Sequence, residues 1–172
     1  MIIFCKFMRV LGIDPGYALV GMGAIEYIGN KYSVIKYGKI ETFSKEDMSK
    51  RLETIFRQMN LWLEETKPDV VAIEQLFFNT NTTTAIAVAQ ARGVILLACQ
   101  LQGVPAYEYT PLQVKQAVVG YGKAEKVQVQ KMVKTILNLE KVPKPDDTAD
   151  ALAIAICHTN HSGYHSYLDK LK

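Results

Sequence analysis

A short apolar run between two helical patterns constrains the fold more than any other feature of this sequence. Asp69 is followed by an uninterrupted apolar run to Ile73. This run is too short for a helix and typical of a strand covered on both faces. Helical patterns precede this run from Ser44 onward and follow it over residues 80–101. Strands that alternate with helices pair in parallel through right-handed crossovers. The sequence therefore predicts an α/β fold.

The remaining elements follow from periodicity and turn signals. Gly29-Asn30 marks a hairpin between the second and third strands, and Ser44 with Asp47 resembles a capping box. The predicted strands span residues 9–14, 19–27, 31–40, 69–73 and 104–107. The predicted helices run from Ser44 to Lys67 and over residues 80–101, 111–119, 124–137 and 147–158. Together they predict a mixed five-stranded sheet with helices on both faces.

Composition indicates one packed domain in a reducing compartment. The 172 residues are 49% hydrophobic and 22% charged, values typical of soluble domains that bury a core without disulfides. We find no uninterrupted apolar run of the ~20 residues that span a bilayer and no secretion signal, so no membrane partner is expected. Cys5, Cys99 and Cys157 have mostly apolar neighbours and no C-x-x-C spacing, which favours buried free thiols and a cytoplasmic location.

Basic residues are concentrated in the second half of the chain. The net charge is only +3, but seven lysines fall between Lys115 and Lys144, against Glu125 and Glu140 in the same stretch. Such a run is either a solvated helix face or a surface that follows a phosphate backbone. Charge alone leaves both interpretations open.

Two acidic residues stand directly after apolar strands. Asp14 ends the first predicted strand and Glu74 ends the fourth, at the edge where open α/β sheets bind ligands. Either residue alone is consistent with a cap or a turn. Two partly buried carboxylates on neighbouring strands repel each other unless a cation or hydrogen bonds compensate them.

A third group of acids opens the last predicted helix. Acids at a helix N-terminus are stabilised by the helix dipole, which accounts for Asp146 as a cap. Asp147 and Asp150 are three residues apart and share one helix face. If that face looks toward Asp14 and Glu74, four carboxylates converge, and an oxygen-only set suits Mg²⁺ or Mn²⁺ rather than zinc.

Six segments, in order and with similar spacing, resemble those of the bacterial RuvC-type Holliday junction resolvases. They are GIDPG at 12–16, AIEQLF at 72–77, QARG at 90–93, QVKQAVVG at 113–120, AEK at 124–126 and DTADALAIAI at 147–156. The resemblance runs from Met8 to about His158. It implies a ribonuclease H-like fold and a homodimer that uses Mg²⁺ or Mn²⁺ to nick opposing strands of a four-way DNA junction, in recombination and repair.

The resemblance also assigns roles to individual residues. It implies two metal ions per active site, held by the carboxylates Asp14, Glu74, Asp147 and Asp150, and two catalytic lysines near the scissile phosphates, Lys115 and Lys126. Phe77 matches an aromatic residue that contacts bases at the junction centre, with Phe78 beside it; core packing is the alternative for both. Apart from the resemblance, residues 120–123 look like a fragment of a P-loop without its full spacing, so this turn and its Lys123 are expected to meet DNA phosphate rather than a nucleotide. Docking on the RuvA–RuvB branch-migration complex is also implied.

The two ends of the chain fall outside the resemblance. Residues 1–7 are interpreted as an N-terminal extension, 8–158 as the nuclease core and 159–172 as a C-terminal tail of a single domain. His158, His161 and His165 lie at or near this tail, but no cysteine or acid at suitable spacing completes a tetrahedral metal site. The sequence therefore predicts an ordinary polar tail.

Two other functions and one interface follow from the same residues. The first alternative is a YqgF-like nuclease, which shares the GIDPG opening. The second is a junction-binding module without catalysis, in which the acids are only caps. The helix predicted at residues 80–101 is more apolar than one covering helix requires, so part of it is expected to form a dimer contact.

Overall fold

All ten predicted elements are present in the computed structural model, which describes residues 7–76 and 82–169, without the side chains of residues 82, 83 and 162–169. The strands are β1 (Phe7–Asp14), β2 (Leu19–Ile28), β3 (Lys31–Glu41), β4 (Val70–Glu74) and β5 (Ala106–Tyr109). The helices are α1 (Met48–Thr66), α2 (Thr82–Leu101), α3 (Pro111–Val119), α4 (Lys126–Ile136) and α5 (Asp146–Asp169). Cys5, Phe77 and Phe78 lie outside the described residues.

The five strands form one mixed sheet in the order β3-β2-β1-β4-β5. The first three strands are antiparallel neighbours, whereas β4 is parallel to both β1 and β5. Gly29 and Asn30, between β2 and β3, both have positive φ angles, of 52° and 70°, as tight hairpin turns require. The predicted sheet and hairpin are confirmed.

Alternating side chains divide the core between the two faces of the sheet. Val10 and Ala72 point to the face covered by α3, α4 and α5. Leu11 and Val71 point to the opposite face, which is covered by α1 and α2. This period of two is the reason that the central strands are apolar throughout, and it confirms that helices cover both faces.

Two predicted boundaries are wrong. Helix α1 begins at Met48 with Asp47 at the N-cap, and no side chain caps it, so the predicted capping box with Ser44 is absent. Strand β5 begins two residues after the predicted position. The backbone N–H of Val104 instead donates to Cys99 at the end of α2, and Pro105 has no N–H for a sheet hydrogen bond.

The C-terminal segment is helical rather than an ordinary polar tail. Helix α5 continues to Asp169, and His158 is buried with Nδ1 hydrogen-bonded to the Tyr109 hydroxyl at 2.7 Å. His161, one turn later, bonds the Cys157 carbonyl through Nδ1 at 2.9 Å and lies against the Tyr109 ring. The prediction of a polar tail is therefore wrong for His158, because β5 gives this part of α5 an aromatic surface to pack on.

The two described cysteines are buried and free, as predicted. Burial raises the pKa of the Cys99 thiol to about 11 and that of the Cys157 thiol to about 12. Both side chains therefore stay protonated near neutral pH and serve as small apolar core residues.

Helix α2 is only partly covered by the described residues. Ala91, Ile95 and Ala98 are buried against the sheet, whereas Ile86 and Leu101 are 68% and 66% exposed. By length and composition alone, residues 84–101 would suffice to cross a membrane, a property that the sequence patterns did not predict. One face of α2 nevertheless packs against the sheet as part of the core. Core helices of other proteins can likewise meet the length and composition criterion for crossing a membrane.

Candidate active site

Asp14 and Glu74 lie side by side at the carboxyl ends of two parallel strands. Ile13 of β1 is in register with Ile73 of β4, so the next residue of each strand is an acid. Both acids follow the alternation that points Val10 and Ala72 toward α5, so both side chains lie on the α5 face. The strand ends thus bring together the two carboxylates that the sequence predicted there.

Three strand glycines seat α5 directly on the sheet. A Cβ atom at Gly12 would collide with the carbonyl oxygen of Ala151, and one at Gly21 would collide with the carbonyl oxygen of Asp147. A Cβ at Gly23 would lie 2.7 Å from the Leu152 side chain. The first turn of α5 therefore rests against the strand that flanks Asp14, which brings Asp147 and Asp150 to the same edge. Sequence reasoning missed this role, although glycines inside a strand pattern are the signal for it.

The acids at this edge perturb one another. Burial raises the pKa of Asp14 well above its usual range, and three neighbouring carboxylates raise it further, in the order Glu74, Asp150 and Asp147. Burial and the charge of Asp150 raise the pKa of Glu74, although a hydrogen bond with Asp14 opposes this. Burial also raises the pKa of Asp150, with Lys126 opposing. More negative charge is crowded here than the local positive charge compensates.

Lys126 neutralises part of this charge. Its ammonium Nζ lies 2.8 Å from Asp150 Oδ2 and 3.9 Å from Asp146 Oδ2. Partial burial works to lower the pKa of Lys126, but the hydrogen bond with Asp150 and the nearby aspartate charges raise it overall. Asp146 is the first residue of α5 rather than its N-cap, and its Oδ1 lies 2.5 Å from Lys144 Nζ. Asp146 therefore takes part in an ion-pair network, a role that sequence reasoning missed.

The two predicted catalytic lysines come from different helices. Lys115 lies on α3, which Thr110 begins with a capping box: Thr110 Oγ1 accepts a hydrogen bond from Gln113 N, and Thr110 N donates to Gln113 Oε1. Lys126 is the first residue of α4 and follows its N-cap, Glu125. The capping interactions define the first residues of α3 and α4. They therefore define the backbone positions of Lys115 and Lys126.

Two of the four acids and both lysines line one cavity of about 230 Å³. Its polar lining consists of Glu74, Asp150, Lys115 and Lys126, and its apolar wall comes from α3, α4 and α5. Lys123 lies in the connection between α3 and α4 and does not line this cavity. The structure thus brings Lys115 and Lys126 to the acids and leaves Lys123 apart from them.

The donor set fits a hard divalent cation. Carboxylate oxygens are the ligands that Mg²⁺ and Mn²⁺ prefer, and four acids with so few opposing charges favour a cation at Asp14, Glu74, Asp147 and Asp150. Among residues 7–76 and 82–169, however, no three side chains already form a complete coordination set. Asp150 is paired with Lys126, so this contact must rearrange before the oxygens converge on an ion.

Comparison with known proteins identifies the family. The sequence model of the family described as crossover junction endodeoxyribonuclease RuvC matches residues 10–158. The chain belongs to the RuvC family. The RuvC of Alkaliphilus metalliredigens is 58% identical over 165 residues, which cover 96% of this chain and 100% of that protein. The RuvC of Clostridioides difficile is 56% identical over 153 residues, covering 89% of this chain and 90% of that one.

Solved RuvC structures share the fold described above. Thermus thermophilus RuvC superposes with a TM-score of 0.83 at 36% identity, covering 92% of this chain and 97% of that one. The structure of the same protein in complex with a Holliday junction substrate superposes with a TM-score of 0.86 at 37% identity. The match covers 90% of this chain and 94% of that one. This sheet and these helices are therefore the ribonuclease H-like fold of RuvC, as the resemblance implied.

Proposed function

We propose that this RuvC-family chain, a crossover junction endodeoxyribonuclease, resolves four-way DNA junctions by hydrolysing phosphodiester bonds at two divalent cations per active site, Mg²⁺ or Mn²⁺. The observation that carries the proposal is the crowding of four carboxylates at one sheet edge, beside a cavity that also holds two lysines. The Holliday junction bound to Thermus thermophilus RuvC supports the choice of substrate.

The chain's own groups have distinct tasks in this chemistry. Bound divalent cations would supply Lewis acidity that activates a water and stabilises the leaving 3′-oxygen. Asp14 and Glu74, on adjacent strands, and Asp147 and Asp150, on α5, would hold them. Lys115 and Lys126, from α3 and α4, would offset the negative charge that develops on the phosphate. The products would carry 5′-phosphate and 3′-hydroxyl ends.

The uncovered face of α2 supports a homodimer. Leu97 is 52% exposed, between Ile86 and Leu101, which are still more exposed. Three large apolar side chains on the outer surface of a core helix suit a self-complementary contact between two copies of this chain. A two-fold axis there would relate two active sites and yield paired, symmetric nicks.

Further contacts follow from the family and from the sequence. Phe77 and Phe78 lie shortly before α2 in the chain and are proposed to contact bases at the junction centre. Lys123, between the cavity helices α3 and α4, is proposed to contact DNA phosphate. We also propose docking on the RuvA–RuvB complex, a cytoplasmic location, and a single nuclease domain with residues 1–7 and 159–172 as its extensions.

Cleavage of a synthetic four-way junction with mapped nick positions tests the proposal. The expected result is metal-dependent nicking of two opposing strands, with little cutting of duplex DNA or RNA of the same sequence. Preferential cutting of RNA would favour the YqgF-like alternative. Tight junction binding without cutting in either Mg²⁺ or Mn²⁺ would favour the junction-binding module.

A further inference from the structure

Asp146 holds two lysines, one on each carboxylate oxygen. Oδ1 lies 2.5 Å from Lys144 Nζ, and Oδ2 lies 3.9 Å from Lys126 Nζ. Asp146 thus bridges a lysine that precedes α5 and the first residue of α4, and its Oδ2 faces Lys126.

Lys126 lies between two carboxylates on successive turns of one helix. Its ammonium is hydrogen-bonded to Asp150 at 2.8 Å, and Asp146 Oδ2 is the next carboxylate oxygen, at 3.9 Å. Asp146 and Asp150 are four residues apart in α5 and therefore share a helix face. A small rotation of the lysine side chain is enough to exchange one partner for the other.

A divalent cation on Asp150 would make the present position of Lys126 unfavourable. An ammonium and a dication repel each other, and both would compete for the same carboxylate oxygens. Lys126 must then leave Asp150. Without another nearby acceptor, its long side chain would gain rotamer freedom in solvent and leave the cavity.

We propose that Asp146 is a positioning residue that holds Lys126 beside the cavity when Asp150 binds a divalent cation. This inference rests on the proposed metal site and deepens it. Lys126 exchanges Asp150 for Asp146, which lowers the cost of vacating Asp150 and keeps the ammonium within reach of a phosphate. Asp146 thereby favours metal binding through Lys126, without being a metal ligand.

Binding of Mn²⁺ to the full-length protein without DNA tests this role, by titration calorimetry or by the electron paramagnetic resonance signal of free Mn²⁺. The set comprises wild type, Asp146→Asn, Lys126→Met and the double variant. Asp146→Asn is expected to weaken Mn²⁺ binding about two- to fivefold, the range of exposed ion-pair couplings. Lys126→Met is expected to strengthen binding, because the competitor for Asp150 is gone. In the Lys126→Met background, Asp146→Asn should have a clearly smaller effect.

Matched variants separate positioning from general charge effects. Glu64→Gln removes an exposed acid near the end of α1, on the opposite face of the sheet, and should leave Mn²⁺ affinity unchanged. Asp146→Glu keeps the carboxylate and should restore most of the affinity lost in Asp146→Asn. Circular dichroism and melting temperature confirm that each variant is folded.

Two results would overturn the proposal. The first is that Asp146→Asn changes Mn²⁺ affinity equally in the wild-type and Lys126→Met backgrounds. The second is that Asp146→Asn alone leaves Mn²⁺ binding unchanged or makes it tighter. The first would mean that Asp146 acts only through its charge. The proposed function is judged separately, by Mn²⁺ binding and junction cutting of the wild type. A wild type that binds metal and cuts junctions, with no coupling in the four-variant set, refutes the positioning role alone.

Discussion

Asp14 and Glu74 each stand one residue beyond the paired Ile13 and Ile73 of two parallel strands, and both side chains lie on the α5 face. Burial raises the pKa of Asp14 well above its ordinary range, and the charge of Glu74 is the largest contribution from a neighbouring acid. Without metal, Asp14 therefore binds a proton more readily in the folded protein than an ordinary aspartate does.

The raised pKa of Asp14 makes the stability of the metal-free protein depend on pH. Because the pKa of Asp14 is raised by folding, the folded state binds more protons than the unfolded state between the unfolded pKa, about 4, and the folded value. The contribution of Asp14 to stability is fully present below the unfolded pKa and is lost as pH rises through the folded pKa. Asp14→Asn, which cannot ionise, should therefore gain melting temperature relative to wild type as pH increases.

Melting curves in EDTA at about pH 5 and about pH 8 measure this difference. In Mg²⁺, the wild type should be stabilised more at the higher pH, where the carboxylates are ionised, and Asp14→Asn should respond less. A melting difference between the two proteins that stays constant with pH would contradict a raised pKa of Asp14.

Substitutions in the first turns of α5 test metal ligation. Asp147 and Asp150 are the second and fifth residues of α5, and Asn matches Asp in size and helix propensity, so Asp147→Asn and Asp150→Asn should fold and bind junctions. They should fail to cut, because an amide oxygen carries no net charge for a dication. Asp14→Asn and Glu74→Gln should behave in the same way. Asp146→Asn keeps all four proposed ligands and should still cut at saturating Mg²⁺, although more slowly than the wild type because Lys126 is no longer held beside the cavity. Near-normal cutting by any of the four variants removes that residue from the site.

The close packing of α5 on Gly12 and Gly21 predicts which glycines tolerate a methyl group. Gly12→Ala and Gly21→Ala would push a Cβ into the backbone of α5, which has no flexible side chain to yield, so each should cost at least about 1–3 kcal/mol of unfolding free energy. At Gly93, inside α2, no atom of the described residues lies within 4 Å of the position that a Cβ would take. Gly93 lies on the same face of α2 as Leu97, so the three glycines are compared in the Leu97→Asp background, which removes the proposed dimer contact, and there Gly93→Ala should be neutral or stabilising by up to about 1 kcal/mol. Urea unfolding measures the free energy of unfolding of the three variants. Similar losses of unfolding free energy at all three positions would argue against close packing of α5 on Gly12 and Gly21.

The cavity lysines are expected to act on rate more than on affinity. Lys115→Ala and Lys126→Ala should each slow cleavage while changing junction affinity little, because many other lysines share the phosphate contacts. Single-turnover cleavage and equilibrium binding at one salt concentration measure the two effects. Lys123→Ala, which changes a lysine outside the cavity, is the comparison and should affect rate less. Equal losses of rate and affinity at Lys115 or Lys126 would contradict a catalytic role.

The exposed face of α2 predicts the oligomeric state. An acidic residue at Leu97 would place a charge in the proposed two-fold contact, so Leu97→Asp should sediment as a monomer at concentrations where the wild type is a dimer. Leu112, on α3, is similarly exposed at 59%, and Leu112→Asp should leave the oligomeric state unchanged. A wild type that sediments as a monomer at micromolar concentration while still making paired nicks would refute the dimer.

Much of the site was predictable because strand ends follow from local sequence. The apolar runs before Asp14 and Glu74 define where the strands stop, and parallel pairing then brings the two acids together. The spacing of Asp147 and Asp150 likewise predicts a shared helix face. That α5 would lie over this edge depends on long-range contacts with Gly12 and Gly21; glycines inside a strand indicate that some element approaches closely but not which one.

The mistaken predictions share this origin. His158 looks polar in sequence, but β5 supplies a tyrosine hydroxyl that accommodates it in the core. Asp146 looks like a cap, but α4 and the residues before α5 supply its partners. In both cases the decisive neighbour comes from a separate element that the local sequence does not reveal.

The direct seating of α5 on the sheet also bears on how a substrate fits. Helix α5 and the sheet touch through backbone atoms, which cannot move apart by changing a side-chain rotamer. A packed protein interior is also only slightly compressible. The backbone spacing between the acids of the strands and those of the helix is consequently set once the chain has folded, and only side chains such as those of Lys126 and Asp150 adjust. Larger accommodation between enzyme and junction then falls mainly to the DNA, which has to bend until a phosphate reaches the site.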